Sequence, residues 1–274
     1  MTTTPLVNTM KAQWSKELRI ARQASRAAGL AIRDDFGLRH ITSRKGPFDV
    51  QLRADNTSQR VIIEELSKES PLYPIVAEEG LENLWESDGR IWVVDPLDGT
   101  NNFGYGVAHC AIAISLFDGE DVTVAVVRDP LLGREFAGVA GEVHPVAPTE
   151  VVTLPDATVS LISNYTVTAR SNIGSIEQRL GQRCKRVFRL WAPALDLALV
   201  ANDVIDAVVC LNAKLLDVCA GAFLVKASGG HILGMDGRPL NIARSMWHQP
   251  VSFIASRQLG LARDLVGVLG QPDS

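Results

Sequence analysis

The chain has 274 residues, 46% of them hydrophobic, enough apolar material for one large domain or two closely joined halves. A formal charge of −4 and a pI near 5.8 offer no basic face, so neither nucleic acid nor a membrane surface is expected as a partner. No apolar run approaches the roughly 20 residues that cross a bilayer and no signal-peptide pattern opens the chain; with Cys110, Cys184, Cys210 and Cys219 scattered outside any zinc spacing, a soluble, unprocessed protein with free thiols in a reducing cytoplasm is expected.

Apolar residues recur at Trp14, Leu18, Ala21, Ala28, Ile32 and Phe36, a period that predicts an amphipathic helix from Trp14 to Phe36. After the Gly46-Pro47 break, a second helix is expected from Ser58 to Ser67, striped by Val61, Ile62 and Leu66, with Asp55 as its N-cap. Short apolar runs at Pro74 to Ala77 and Ile91 to Val94 read as strands. Val107 to Phe117 and Val122 to Val127, joined by Asp118-Gly119, read as a hairpin. A loop rich in Pro, Gly and Glu is expected near Gly138 to Pro155. Beyond it, strands near Val159 to Ile162, Val204 to Val209 and Ser252 to Ala255 alternate with helices near Leu195 to Ala201, Asp217 to Ala227 and Leu259 to Leu269. The fold class is α/β, with a mixed α+β N-terminal half over residues 1–150 and an α/β C-terminal half over residues 151–274, tightly joined as one unit.

The chemistry concentrates in Ile91-Trp92-Val93-Val94-Asp95-Pro96-Leu97-Asp98-Gly99-Thr100-Asn101-Asn102-Phe103. An apolar strand runs straight into two carboxylates, and strand ends are where α/β sheets commonly carry function. Pro96 fixes its own φ and holds Asp95 extended, which lets Asp95 and Asp98 converge. Converging carboxylates need a cation, and a hard divalent ion such as Mg²⁺ also accepts a peptide carbonyl, here that of Leu97. Gly99 permits close backbone approach, and a helix starting at Thr100 would present free N–H groups to phosphate. The same residues also suit a plain surface turn. An EF-hand loop is excluded, because counting from Asp95 puts Leu97 and Gly106 where acids belong. Upstream, Glu78 and Glu79 close another apolar run, either as ligands or as solvated acids. Downstream, Asp217 opens a helix, where N-capping explains it equally well.

Together, Glu78-Glu79-Gly80, the Asp95 to Phe103 segment, and Leu216-Asp217 through Ser228-Gly229-Gly230 resemble the inositol monophosphatase family in order and spacing, over nearly the whole chain. The resemblance implies a layered αβαβα fold and a Mg²⁺-dependent, lithium-sensitive phosphomonoesterase with two or three ions, acting as a homodimer on a small phosphorylated polyol or sugar. It implies that Glu78, Asp95 and the Leu97 carbonyl hold one Mg²⁺, and that Asp95, Asp98 and Asp217 hold another. By the same resemblance Glu78, Thr100 and Asp55 are catalytic, activating a water, while Gly99 and Thr100 bind the phosphate. The acids Asp49 and Asp55 match a family stretch whose intervening Gln51 and Leu52 depart from it.

Substrate choice is where the resemblance thins. Cys210 stands where the family places an acid that accepts the substrate's hydroxyls, and Trp191, which either walls the pocket or packs in the core, lies where the family has a small glycine turn, so Cys210 and Trp191 are the candidate substrate contacts. Lys214 faces either solvent or a second anionic group. The family's glycine-rich hairpin is missing around Glu135 to Val146. Histidinol phosphate, fructose 1,6-bisphosphate and 3',5'-bisphosphonucleotides therefore stay open as substrates, as does a non-catalytic scaffold of the same fold. His109 reads as a satisfied core or interface histidine.

Overall fold

The computed structural model describes residues 4–44, 50–78, 89–142, 150–163 and 167–270. Helix α1 (Thr4–Ile32) leads through a short 3₁₀ turn to the β1 (Ile41–Arg44) and β2 (Val50–Leu52) pair and then α2 (Arg53–Glu69). Strands β3 (Ile75–Ala77) and β4 (Arg90–Asp98) precede the short α3 (Thr100–Tyr105), followed by β5 (Ala111–Asp118), β6 (Asp121–Arg128) and β7 (Glu135–Val139). The remainder runs β8 (Thr158–Ser163), α4 (Val167–Arg183), β9 (Arg186–Phe188), α5 (Pro193–Ala201), β10 (Ala207–Ala213), α6 (Leu215–Ala227), β11 (His231–Gly234), β12 (Val251–Ser256) and α7 (Leu259–Leu269).

Two five-stranded sheets result, ordered β3-β4-β5-β6-β7 and β11-β12-β10-β8-β9. The first is antiparallel except for β3 beside β4, and the second is parallel at β10-β8-β9. Strand β4 shows why its sequence is a continuous apolar run: Ile91 and Val93 point to a core shared with α5 and α6, while Trp92 and Val94 point to a core shared with α1 and α2. A strand buried on both faces has no polar alternation to display. The shared core also takes Val208, Cys210 and Phe253 from the second sheet, whose other face packs Val209 and Ile254 against Leu261 and Leu265 of α7. The layers are helix, sheet, helix pair, sheet, helix, as expected.

Several boundaries differ from expectation, each for a local reason. Helix α2 begins at Arg53, because Asp55 caps from inside its first turn, taking the Leu52 N–H at 2.8 Å on Oδ2. Strand β5 begins at Ala111 and not Val107: Gly106 ends α3 in the left-handed region and the Val107 N–H returns to Asn102 O. Strand β10 begins at Ala207, since the Val204 N–H closes a turn on Leu199 O. Residues 135–139, placed partly in the expected loop, form an edge strand on β6. The β1-β2 pair, α4, β9 and β11 had no clear signal: the strands are only three or four residues long. Gly46, Pro47 and Asp49 lie outside the described residues.

Helices α5 and α6 touch through small residues. A Cβ on Gly221 would stand 2.5 Å from Leu197 Cβ and 2.9 Å from the Ala194 carbonyl. Helix propensity alone favours alanine over glycine by about 1 kcal/mol, whereas overpacking costs about 1–3 kcal/mol. Gly221→Ala is therefore expected to lower the urea midpoint, and an unchanged or raised midpoint would show that the two helices are free to separate.

Candidate active site

The site begins with the missing N–H of Pro96. The β4–β5 ladder runs in register from Arg90 to Asp95, breaks, and resumes with Asp98 opposite Ala111. A residue that cannot donate forces this bulge. The break offsets the strand's alternation, so acids three apart in sequence turn toward the same cavity, of about 80 Å³, which Asp95, Leu97, Asp98, Gly99 and Thr100 line together. Glu78, at the end of β3, and Asp217, in the first turn of α6, complete the acidic wall, while Asn101, Trp191 and Lys214 close the remainder. Glu79 and Gly80 lie outside the described residues.

Each side chain of the loop is held. Ser58 Oγ of α2 donates to Pro96 O at 2.6 Å, and the Leu97 N–H donates to Asp95 Oδ1 at 3.1 Å. Thr100 Oγ1 lies 2.7 Å from Asp55 Oδ1 and 2.9 Å from Leu97 O. A hydroxyl has one hydrogen, and the shorter contact is to Asp55, so the lone pairs of Thr100 are left to accept. Gly99 adopts φ +83°, and a Cβ there would sit 2.8 Å from His109 O; glycine is required by both conformation and space.

The C-terminal residues lock onto this loop. Asp98 Oδ2 accepts the Leu195 N–H at 3.0 Å, from the first turn of α5. Asn102 Nδ2 donates to His109 O at 2.8 Å and also to Leu190 O. Asp196, 2% exposed, accepts from Ser160 Oγ at 2.8 Å and meets His109 Nε2 at 2.7 Å. His109 is thus a satisfied histidine that ties the first sheet's loop to α5 and β8. Asn102 and Asp196 escaped the sequence reading because polar ties between distant segments leave no local periodicity.

Burial drives the Asp95 and Asp98 carboxyls well above their ordinary range. At Asp95 repulsion from Asp98, Glu78 and Asp217 adds to burial, against the single Leu97 N–H. At Asp98 burial raises the carboxyl most, the Leu195 N–H works against burial, and repulsion from Asp196 and Asp217 adds to burial. The acids surround one cavity without collapsing to a point: among the described residues, no three His, Cys, Asp or Glu side chains stand as a ready-made metal cage.

The two candidate substrate contacts part company. Trp191 lines the cavity, with its backbone in the left-handed region at φ 45°. That conformation is costly for a bulky residue, and it fits the position where a glycine was expected from the resemblance. Cys210, in contrast, is 0% exposed, inside the core between the sheets. Burial pushes its thiol up, away from reactivity. As placed, Cys210 has no surface with which to touch a substrate, which corrects its assignment as a contact.

A layered α/β fold with four acids gathered at strand and helix ends defines a phosphatase-like architecture, and comparison with known proteins gives its family. Residues 13–265 match the inositol monophosphatase family. A fructose-1,6-bisphosphatase/inositol-1-monophosphatase of Thermotoga maritima is 28% identical over 207 residues, covering 74% of this chain and 78% of the relative. An inositol-1-monophosphatase of Rhizobium meliloti is 31% identical over 231 residues, covering 80% of this chain and 86% of the relative. In structure, the extragenic suppressor protein suhB of Bartonella henselae superposes with a TM-score of 0.82 at 24% identity, over 94% of this chain and 99% of that one. The chain belongs to the inositol monophosphatase family, and with it to the phosphoric monoester hydrolases.

Removing Asp196 tests the tie between the sheets. Asp196→Ala strips partners from Ser160 and His109 and is expected to cost about 3 kcal/mol in urea unfolding. Asp196→Asn, which keeps an acceptor oxygen, should cost less than half of that; equal losses would mean that the hydrogen bonds are not what Asp196 contributes.

Proposed function

We propose that the protein is a Mg²⁺-dependent phosphomonoesterase that hydrolyses a small phosphorylated polyol or sugar by direct attack of water. One observation carries this: Glu78, Asp95, Asp98 and Asp217, from three segments of the chain, border one small cavity, with Asp95 feeling the other three. Four carboxylates gathered at such a cavity are a cost to folding unless a cation is shared among them. Their donors are all oxygen, which suits Mg²⁺ and disfavours softer metals, so the residues fit the ion.

On this proposal Glu78, Asp95 and the Leu97 carbonyl would hold one ion, and Asp95, Asp98 and Asp217 a second, with a third loosely held near Glu78. The ions supply Lewis acidity at the phosphoryl oxygens and at the departing alkoxide. The rest is done by the chain. The Thr100 hydroxyl, its hydrogen committed to Asp55, accepts a hydrogen from the attacking water and points its lone pair toward phosphorus. Glu78 takes up the water's proton, and the departing alkoxide takes a proton from a solvent water to leave as the alcohol. The N–H groups of Gly99 and Thr100, at the left-handed entry to α3, grip the phosphate oxygens. Trp191 walls the side where the alcohol leaves. A homodimer in the cytoplasm, lithium sensitivity and the absence of nucleic-acid or membrane partners belong to the same proposal, supported by family membership and charge. A scaffold without turnover would have no use for this set of acids.

Asp98→Asn separates chemistry from fold. Phosphate release should be abolished, because a ligand charge is lost while the amide oxygen still accepts the Leu195 N–H. Without metal, the variant should melt higher than the parent, by roughly 2–4 °C for each kcal/mol of repulsion relieved. The sign follows from the raised carboxyl: its contribution to stability is full below the unfolded carboxylate range and is lost as pH rises through the elevated folded value, so the advantage of asparagine should widen from pH 5 to pH 8. Magnesium should raise the parent's melting point far more than the variant's. Normal turnover by Asp98→Asn would sink the mechanism.

A further inference from the structure

A second cavity, of about 350 Å³, adjoins the acid-lined one and shares Glu78 and Lys214 with it. Its character is different. Among the described residues Glu78, on the shared wall, is its one acid; Lys214, His248 and Gln249 bring hydrogen-bond donors, and Trp247 with Leu216 brings apolar surface. Lys214 stands at the N-cap of α6, between the two spaces, with its side chain exposed. Among the described residues no carboxylate pairs with it, although three residues along the helix lies Asp217. An exposed cation that borders both spaces, with no carboxylate partner among the described residues, is placed for an anion that comes from outside.

We propose that this chamber receives a second anionic group of the substrate, phosphate or carboxylate, and that Lys214 selects for it. The proposal rests on the phosphatase reading of the neighbouring cavity and names its substrate class: a phosphate monoester with a further anion on the same small carbon skeleton. Position supports it, since a phosphate held at the acids leaves the rest of the substrate beside the adjoining cavity of about 350 Å³. The lining supports it too. Cys210 is buried and supplies no acceptor for hydroxyls, whereas Lys214 and the His248–Gln249 segment offer donors, and the edge of Trp247 offers a surface for carbon. The hydroxyls of an uncharged polyol could accept from Gln249 and His248 but bring no charge to match Lys214, which an anion does.

The test compares fructose 1,6-bisphosphate with fructose 1-phosphate, which keeps the phosphate on C1 and lacks the second anion, on the parent and on Lys214→Met, which keeps the length of the stem. Two ratios are read: kcat/KM for bisphosphate over monophosphate, and the same ratio of affinities by calorimetry with calcium in place of magnesium. The parent is expected to favour the bisphosphate, and Lys214→Met to lower both ratios at least tenfold, the scale of a hydrogen bond to a charged group. Parallel losses on the two sugars would place Lys214 on the scissile phosphate and overturn the proposal, as would ratios that do not change. If the parent releases phosphate from neither sugar, the phosphatase reading fails for these substrates, and the affinity ratio alone decides: a preference abolished in Lys214→Met sustains the subsite, and no preference removes it.

Discussion

Everything near the cavity answers to one electrostatic problem, two carboxylates buried side by side at the end of β4. Asp95 is 6% exposed and Asp98 3%, and both are pushed toward their protonated forms by burial. Left to itself such a pair would either neutralise or splay apart. The chain prevents splaying with neutral hydrogen bonds: Leu97 N–H on Asp95, Leu195 N–H on Asp98, Ser58 on the Pro96 carbonyl. None of these brings a positive charge. The compensation for the acids is thus kept available for something that binds.

The same economy explains the ties between the two sheets. Asn102 reaches from α3 to the carbonyls before α5, and Asp196 reaches from α5 back to His109 and sideways to Ser160. These bonds set the first turn of α5 against the Asp98 carboxylate. They also hold Trp191 in a backbone conformation that a bulky residue rarely accepts. Strain of that kind persists only where neighbours over-determine it, and here Asn102, donating to the preceding Leu190 carbonyl, supplies such a hold.

Much of this was legible in the residues. The continuous apolar run of β4 ending in Asp-Pro-Leu-Asp-Gly-Thr declared both a strand buried on two faces and a loop with chemistry, because proline, glycine and paired acids each have few structural uses. The period of α1 named Trp14, Ala21, Ala28 and Ile32, all of which are buried. What failed had a common cause. Whether Cys210 faces a cavity depends on the two-residue alternation of β10 and on a bulge between Cys210 and Ala213, which spacing to Asp217 does not reveal. Asp55 was placed outside its helix because an acid at the third helical position and an acid at the N-cap both stand ahead of an apolar stripe. The roles of Asn102 and Asp196 depend on partners nearly a hundred residues away in the chain.

The helix pair α5 and α6 lies between the sheets and is packed by both. Asp95 and Asp98 belong to the first sheet, yet Asp217 arrives on α6, more than a hundred residues later in synthesis. A nascent chain that has released only its first sheet therefore carries the repelling acids without the helices that cover them. Until α5 and α6 have been synthesised, the face of β4 and β5 that they cover has no partner in the chain.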